Sequence, residues 1–208
     1  MSQSAVGHAS HGAVTWPLDG QYGRATPGKI AMWVFLLSDA FGFTGFLLAG
    51  GLFRAGSAAW RAPGEPELGV TFTALLTALL IVTSVTNVLG LWAAARGRRS
   101  LATALLWITV LGGLLFLLGQ YSEWFGLGAP GLVQEGLVFG HSARASIFYA
   151  TTGYHGLHVL VGVIYMAIVT SGYMLGRANA GTIEVMSLFW CFVDFVWIFV
   201  FTFLYLLP

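Results

Sequence analysis

The sequence predicts an all-α integral membrane protein: a five-transmembrane-helix bundle with its amino terminus cytoplasmic and its carboxyl terminus periplasmic. Three observations carry this. Hydrophobic residues make up 57% of the 208 residues and charged ones 8%, against roughly 25% charged in a soluble globular chain. The apolar residues gather in five runs, each long enough to meet the ~20 residues that cross a ~30 Å hydrocarbon core. None of the 9 Lys and Arg residues falls inside a run. A β-barrel is excluded, because its strands alternate over about ten residues, whereas these runs are longer and apolar on every face.

The elements follow in order. Residues 1–29 form a flexible polar tail without the basic start and short apolar core of a secretory signal. His8 and His11 within it read as solvated rather than metal-binding. The first helix, 30–53, carries Asp39 beside Gly42 and Gly45. The second, 70–95, carries Thr73, Thr77, Ser84 and Asn87, whose spacing by threes, fours and sevens puts them on one face, turned toward protein. The third, 101–125, contains Gly112 and Gly113 and ends on Gln120 and Glu123, the latter near enough to the interface to be solvated. The fourth, 145–175, holds His155 and His158 among Gly153, Gly156 and Gly162. The fifth, 183–207, holds Trp190, Cys191, Asp194 and Trp197. A single cysteine cannot form an internal disulfide.

Orientation comes from Lys and Arg in the loops, since cytoplasmic loops carry the excess. The side shared by the amino tail holds Arg24, Lys29, Arg96, Arg98, Arg99 and Arg177. The other side holds Arg54, Arg61 and Arg144, diluted by Glu65, Glu67 and Glu135. The Arg96, Arg98, Arg99 cluster reads as a cytoplasmic anchor that can meet anionic lipid headgroups. A net charge of +1 spread through the loops gives no nucleic-acid surface. No interior loop is long enough for a catalytic head, and no phosphate loop, nucleophile triad or CxxC pattern occurs. Chemistry belongs in the membrane or in a partner.

At ~1.5 Å per residue, Asp39, His155, His158 and Asp194 lie roughly 13 to 20 Å into their helices, near the midplane. Two readings compete. Buried acids and His are the parts of proton and ion paths; they also serve as interhelical hydrogen-bonding glue where glycines let helices approach. A haem would need axial ligands from opposite faces, and His155 and His158, three apart on one helix, look the same way. His141 lies in an outer loop and cannot supply the second ligand at depth. A copper or zinc site would need a third ligand, for which Asp39 and Asp194 are the candidates. The chain is therefore expected to bind neither metal nor haem and to have no catalytic residues.

Four stretches resemble, in order, the cytochrome c oxidase subunit III family. They are MWVFLLSDAFGF in the first helix, QYSEWFGL closing the third, GYHGLHVLVGVIY in the fourth and FWCFVDFVWIFVFTFLYLLP in the last. The likeness covers nearly everything from Lys29 to Pro208 and is to the short, five-helix bacterial form. Three departures stand out. Asp39 replaces the family's usual Glu, Cys191 replaces its usual His, and the two leading helices of longer members, which enclose a lipid-filled cleft, have no counterpart.

The resemblance implies a cofactor-free accessory subunit of a haem-copper respiratory terminal oxidase in the bacterial inner membrane. It implies haem and copper in a catalytic subunit I, with subunit II and membrane lipids as further partners and phospholipid as a candidate ligand. Asp39 becomes a proton-related buried carboxyl, with Asp194, His155 and His158 as its polar surroundings. Gln120 and Glu123 form an outer-end polar pair. Trp33, Trp190 and Trp197 are assigned to lipid, partner or packing contacts. The rival readings are an accessory of a nitric oxide reductase, which Asp39 would suit, and a free-standing proton-coupled transporter. Against the transporter, five helices cannot form two equal inverted halves.

Overall fold

A computed structural model describes residues 26–56 and 60–207. His8, His11 and most of the expected amino-terminal tail lie outside the described residues. Among the described residues, five helices long and apolar enough to cross a membrane run in chain order: α1 Pro27–Gly56, α2 Val70–Ala95, α3 Arg99–Phe125, α4 Ala143–Met174 and α5 Ala180–Phe201. α5 continues into a π-helical turn, Thr202–Leu206. Helix is the physically required form, because hydrocarbon offers backbone N–H and C=O groups no other partner.

α2 begins at Val70 as expected, whereas the other four helices begin two or three residues earlier than hydropathy suggests, and local capping accounts for α1, α4 and α5. Thr26 takes the Lys29 N–H on its side chain at 3.4 Å, and Pro27 follows at the first helical position, where its missing N–H costs nothing. Ser142 caps α4 by accepting from the Ala145 N–H at 2.9 Å, and Asn179 caps α5 by accepting from the Thr182 N–H at 3.0 Å. α3 ends at Gly126, whose φ of 77° is one that glycine adopts without steric cost. The loop after it folds back over the helix end. Leu132 N–H donates to the Glu123 carbonyl at 2.9 Å, Val133 N–H to that of Trp124 at 3.1 Å, and the Gln134 amide to that of Phe125 at 3.0 Å.

α2 packs on α3 and α5, α3 on α4, α4 on α5, and α1 lies outside against α4 and α5. Glycines set the closest approaches. An added Cβ at Gly113 would stand 2.6 Å from Val163 and 2.7 Å from the Trp190 ring, and one at Gly162 would stand 3.1 Å from the same ring. Trp190 therefore sits in a slot between α3 and α4, 1% exposed. At the end of the bundle where α5 finishes, Arg144 is buried with Glu65 at 3.3 Å and donates to the Pro66 carbonyl at 3.0 Å. This ties the 60–69 loop to the start of α4. In that loop the Arg61 guanidinium, hydrogen-bonded to Glu67 at 2.5 Å, holds the Glu67 carboxyl below its ordinary range.

Candidate functional site

The midplane residues do not form one cluster; they divide between two helix seams. The first seam joins α1 and α4. Tyr154 donates its hydroxyl to Asp39 Oδ1 at 2.8 Å, and His158 Nε2 stands 3.2 Å from the same oxygen. His158 Nδ1 is 2.7 Å from the Tyr154 carbonyl. A carbonyl only accepts, so Nδ1 carries hydrogen and a neutral His158 would present a lone pair from Nε2 to the carboxyl. Gly42 makes the crossing short: an added Cβ there would meet the Tyr154 hydroxyl at 3.1 Å. Phe43 closes the site, its ring centroid 4.8 Å from Tyr154 and 5.3 Å from His158.

The second seam joins α2 and α5. Ser84 donates to Asp194 Oδ2, Ser187 to Asn87 Oδ1 at 3.1 Å, and the Trp197 indole to Thr77 Oγ1 at 2.9 Å. Asn87 also reaches Cys191 Sγ at 3.8 Å. The α2 stripe thus faces protein along its length. Its first member, Thr73, donates to Glu123 Oε1 at 2.8 Å while Tyr205 donates to Oε2 at 2.9 Å.

Several placements differ from the sequence reading. Glu123, expected at a wetted interface, is buried, because the loop after α3 covers it and Tyr205 bonds it from α5. The π turn accounts for Tyr205. In regular helix it would stand about 80° around from Trp197; the wider turn winds less per residue and returns it to the same face, 6.4 Å from the Trp197 ring. Trp190 and Trp197 are core residues at 1% exposure each, so neither touches lipid; Trp33 is 55% exposed. His155 and His158 part company. His158 turns to α1, whereas His155 is fully buried against Trp197 at 4.6 Å and Phe116 at 5.8 Å. Neither ring nitrogen of His155 has a hydrogen-bond partner among the described residues.

Sequence reasoning passed over Tyr154 and Tyr205. Tyr154 carried a signal, four residues before His158 and so on the same face; Tyr205 carried none without the π turn. Among the described residues no three His, Cys, Asp or Glu side chains converge, and the third neighbour of the Asp39 and His158 pair is a phenol. What Asp39, Tyr154 and His158 do in the structure is join α1 to α4 through polar contacts.

Comparison with known proteins covers the same helices. The family described as cytochrome c oxidase subunit III matches residues 24–207, a span that takes in all five helices and both polar seams. The chain is 34% identical over 175 residues to a probable cytochrome c oxidase subunit 3 of Nocardia farcinica, covering 83% of this chain and 84% of the relative. It is 34% identical over 178 residues to the cytochrome c oxidase subunit 3 of Corynebacterium diphtheriae, with the same coverage of 83% and 84%. With that of Synechocystis it shares 31% identity over 193 residues, 90% of this chain and 79% of the relative.

Proposed function

The chain belongs to the cytochrome c oxidase subunit III family, and on that premise we propose that it is the cofactor-free accessory subunit of a haem-copper terminal oxidase, where it stabilises the catalytic subunit and supports proton uptake during oxygen reduction. The observation that carries the reading is the continuity of the family match, residues 24–207, over all the helices that build the two polar seams. The expected partners are the catalytic subunit I and subunit II, in a bacterial inner membrane, with the amino terminus cytoplasmic. The Asp39 and His158 pair supports the proton-related part of the reading: it lies at the edge of the bundle, between α1 and α4, and sets a carboxyl 3.2 Å from an imidazole nitrogen. The relatives named above are oxidase subunits, which favours oxygen over nitric oxide as the substrate of the partner.

The test is purification of the tagged chain from its own membranes in mild detergent, with a reduced-minus-oxidised spectrum and a gel of partners. Haem bands are expected to arrive with a larger membrane subunit and to vanish when the chain is stripped free. A lone, colourless protein from well-preserved membranes would overturn the reading in favour of a transporter.

A further inference from the structure

At the end of the bundle where α5 finishes, one carboxyl joins three elements. Glu123 on α3 is 8% exposed, Thr73 on α2 is fully buried, and Tyr205 on the π turn is buried with them. Thr73 Oγ1 lies 2.8 Å from Glu123 Oε1, and the Tyr205 hydroxyl lies 2.9 Å from Oε2. The loop after α3 covers this end with Leu132 and Leu137, both buried, and bonds the Glu123 carbonyl through the Leu132 N–H.

Nothing of opposite charge faces the carboxyl. Among the described residues no Lys, Arg or His side chain forms an ion pair with Glu123, and Arg144, buried at the same end of the bundle, is taken by Glu65. The remaining titratable side chain near it is Tyr149 on α4, whose hydroxyl donates to the Leu137 carbonyl at 2.8 Å instead. An ionised Glu123 would be a buried charge held by two neutral hydroxyls, and burying an unpaired charge is far more costly than burying a neutral acid.

The placement of hydrogens fits the neutral acid. Thr73 Oγ1 also lies 3.1 Å from the Gly69 carbonyl, and its one hydrogen can serve only one of its two neighbours. With Glu123 ionised, Thr73 must turn to Oε1 and leave Gly69. With Glu123 protonated, the Oε1 hydroxyl donates to Thr73 Oγ1, Thr73 donates onward to the Gly69 carbonyl, and Tyr205 donates to Oε2. Each hydroxyl hydrogen then has an acceptor, and no charge is buried.

We infer that Glu123 is a proton-binding site: its carboxyl is held neutral in the folded protein and donates through Thr73 to the start of α2. The site is separate from the Asp39 seam and does not rest on the accessory-subunit reading. Infrared spectroscopy of the full chain in mild detergent at neutral pH tests it, because the carbonyl stretch of a protonated carboxyl stands clear of the amide and carboxylate bands. One such band is expected to be lost in Glu123→Gln, which can still accept from Tyr205 and donate to Thr73. Thr73→Val, close in volume but without the hydroxyl, is expected to keep the band and move it to higher frequency, because the acid loses its acceptor. This second variant reads the site even where Glu123→Gln fails to fold. A wild-type spectrum without a protonated-carboxyl band, a Glu123→Gln spectrum that loses a carboxylate band instead, or a band that Thr73→Val leaves unmoved would each overturn the inference.

Discussion

At position 39 a carboxyl meets a phenol and an imidazole across a gap that Gly42 keeps narrow. Bracing and proton exchange are separable there by chemistry. Tyr154 and His158 both meet Oδ1, so Asp39→Asn keeps the side-chain volume and an oxygen for the Tyr154 hydroxyl and removes the ionisable carboxyl. Asp39→Ala removes the contacts as well. Under the proposed function Asp39→Asn assembles at the wild-type level yet sustains fewer turnovers and pumps fewer protons in reconstituted vesicles. Asp39→Ala in addition weakens the complex by about 0.6 to 1.7 kcal/mol, the range measured for interhelical hydrogen bonds in membranes. Turnover lifetime and proton stoichiometry are the measurements, and normal values for Asp39→Asn would confine the residue to bracing.

Among elements, α3 shows most plainly how the bundle is specified. Its glycines are receptors for larger side chains, with Gly112 against Thr83, Gly113 against Val163 and Trp190, and Gly119 against Leu76. Gly113→Ala forces a methyl into Trp190 and Val163 and should cost about 1 to 3 kcal/mol by overpacking, read as a lower unfolding temperature in detergent. Gly45→Ala, with nothing within 4 Å of the added methyl, should be neutral or slightly stabilising. The existence and order of the five helices were legible because hydropathy over some twenty residues is a strong signal. The facing of the α2 stripe was legible because threonines and an asparagine repeated at helical spacing cannot face lipid. What stayed hidden was pairing between helices. Nothing in the spacing of Asp39 and Asp194 tells that one meets α4 and the other α2, and the burial of Glu123 depends on a loop fold and a π turn that have no hydropathy signature.

The whole molecule is asymmetric, a packed set of four helices with α1 applied to its side. Of the thirty residues of α1 only Leu36, Asp39, Phe43 and Gly50 are buried. Between apolar helices in lipid there is little hydrophobic driving force, so polar contacts and close packing must hold α1 in place. It has three such contacts, spread along its length: Lys29 to Glu184 at 2.6 Å near one end, Asp39 to Tyr154 and His158 in the middle, and Arg54 to the Leu207 carbonyl at 3.1 Å near the other. At about 0.6 kcal/mol apiece, and up to about 1.7, each alone is weak, and together they are comparable to the packing of one helix face. The combined variant Lys29→Ala, Asp39→Ala, Arg54→Ala is therefore expected to free α1 while α2 to α5 stay assembled. Amide hydrogen exchange in detergent is the direct reading: protection should fall selectively across Pro27–Gly56 and persist in the other four helices. Equal loss of protection in all five would mean that α1 folds as one cooperative unit with the rest, and unchanged protection across Pro27–Gly56 would mean that its few buried side chains hold it more tightly than the three polar contacts do.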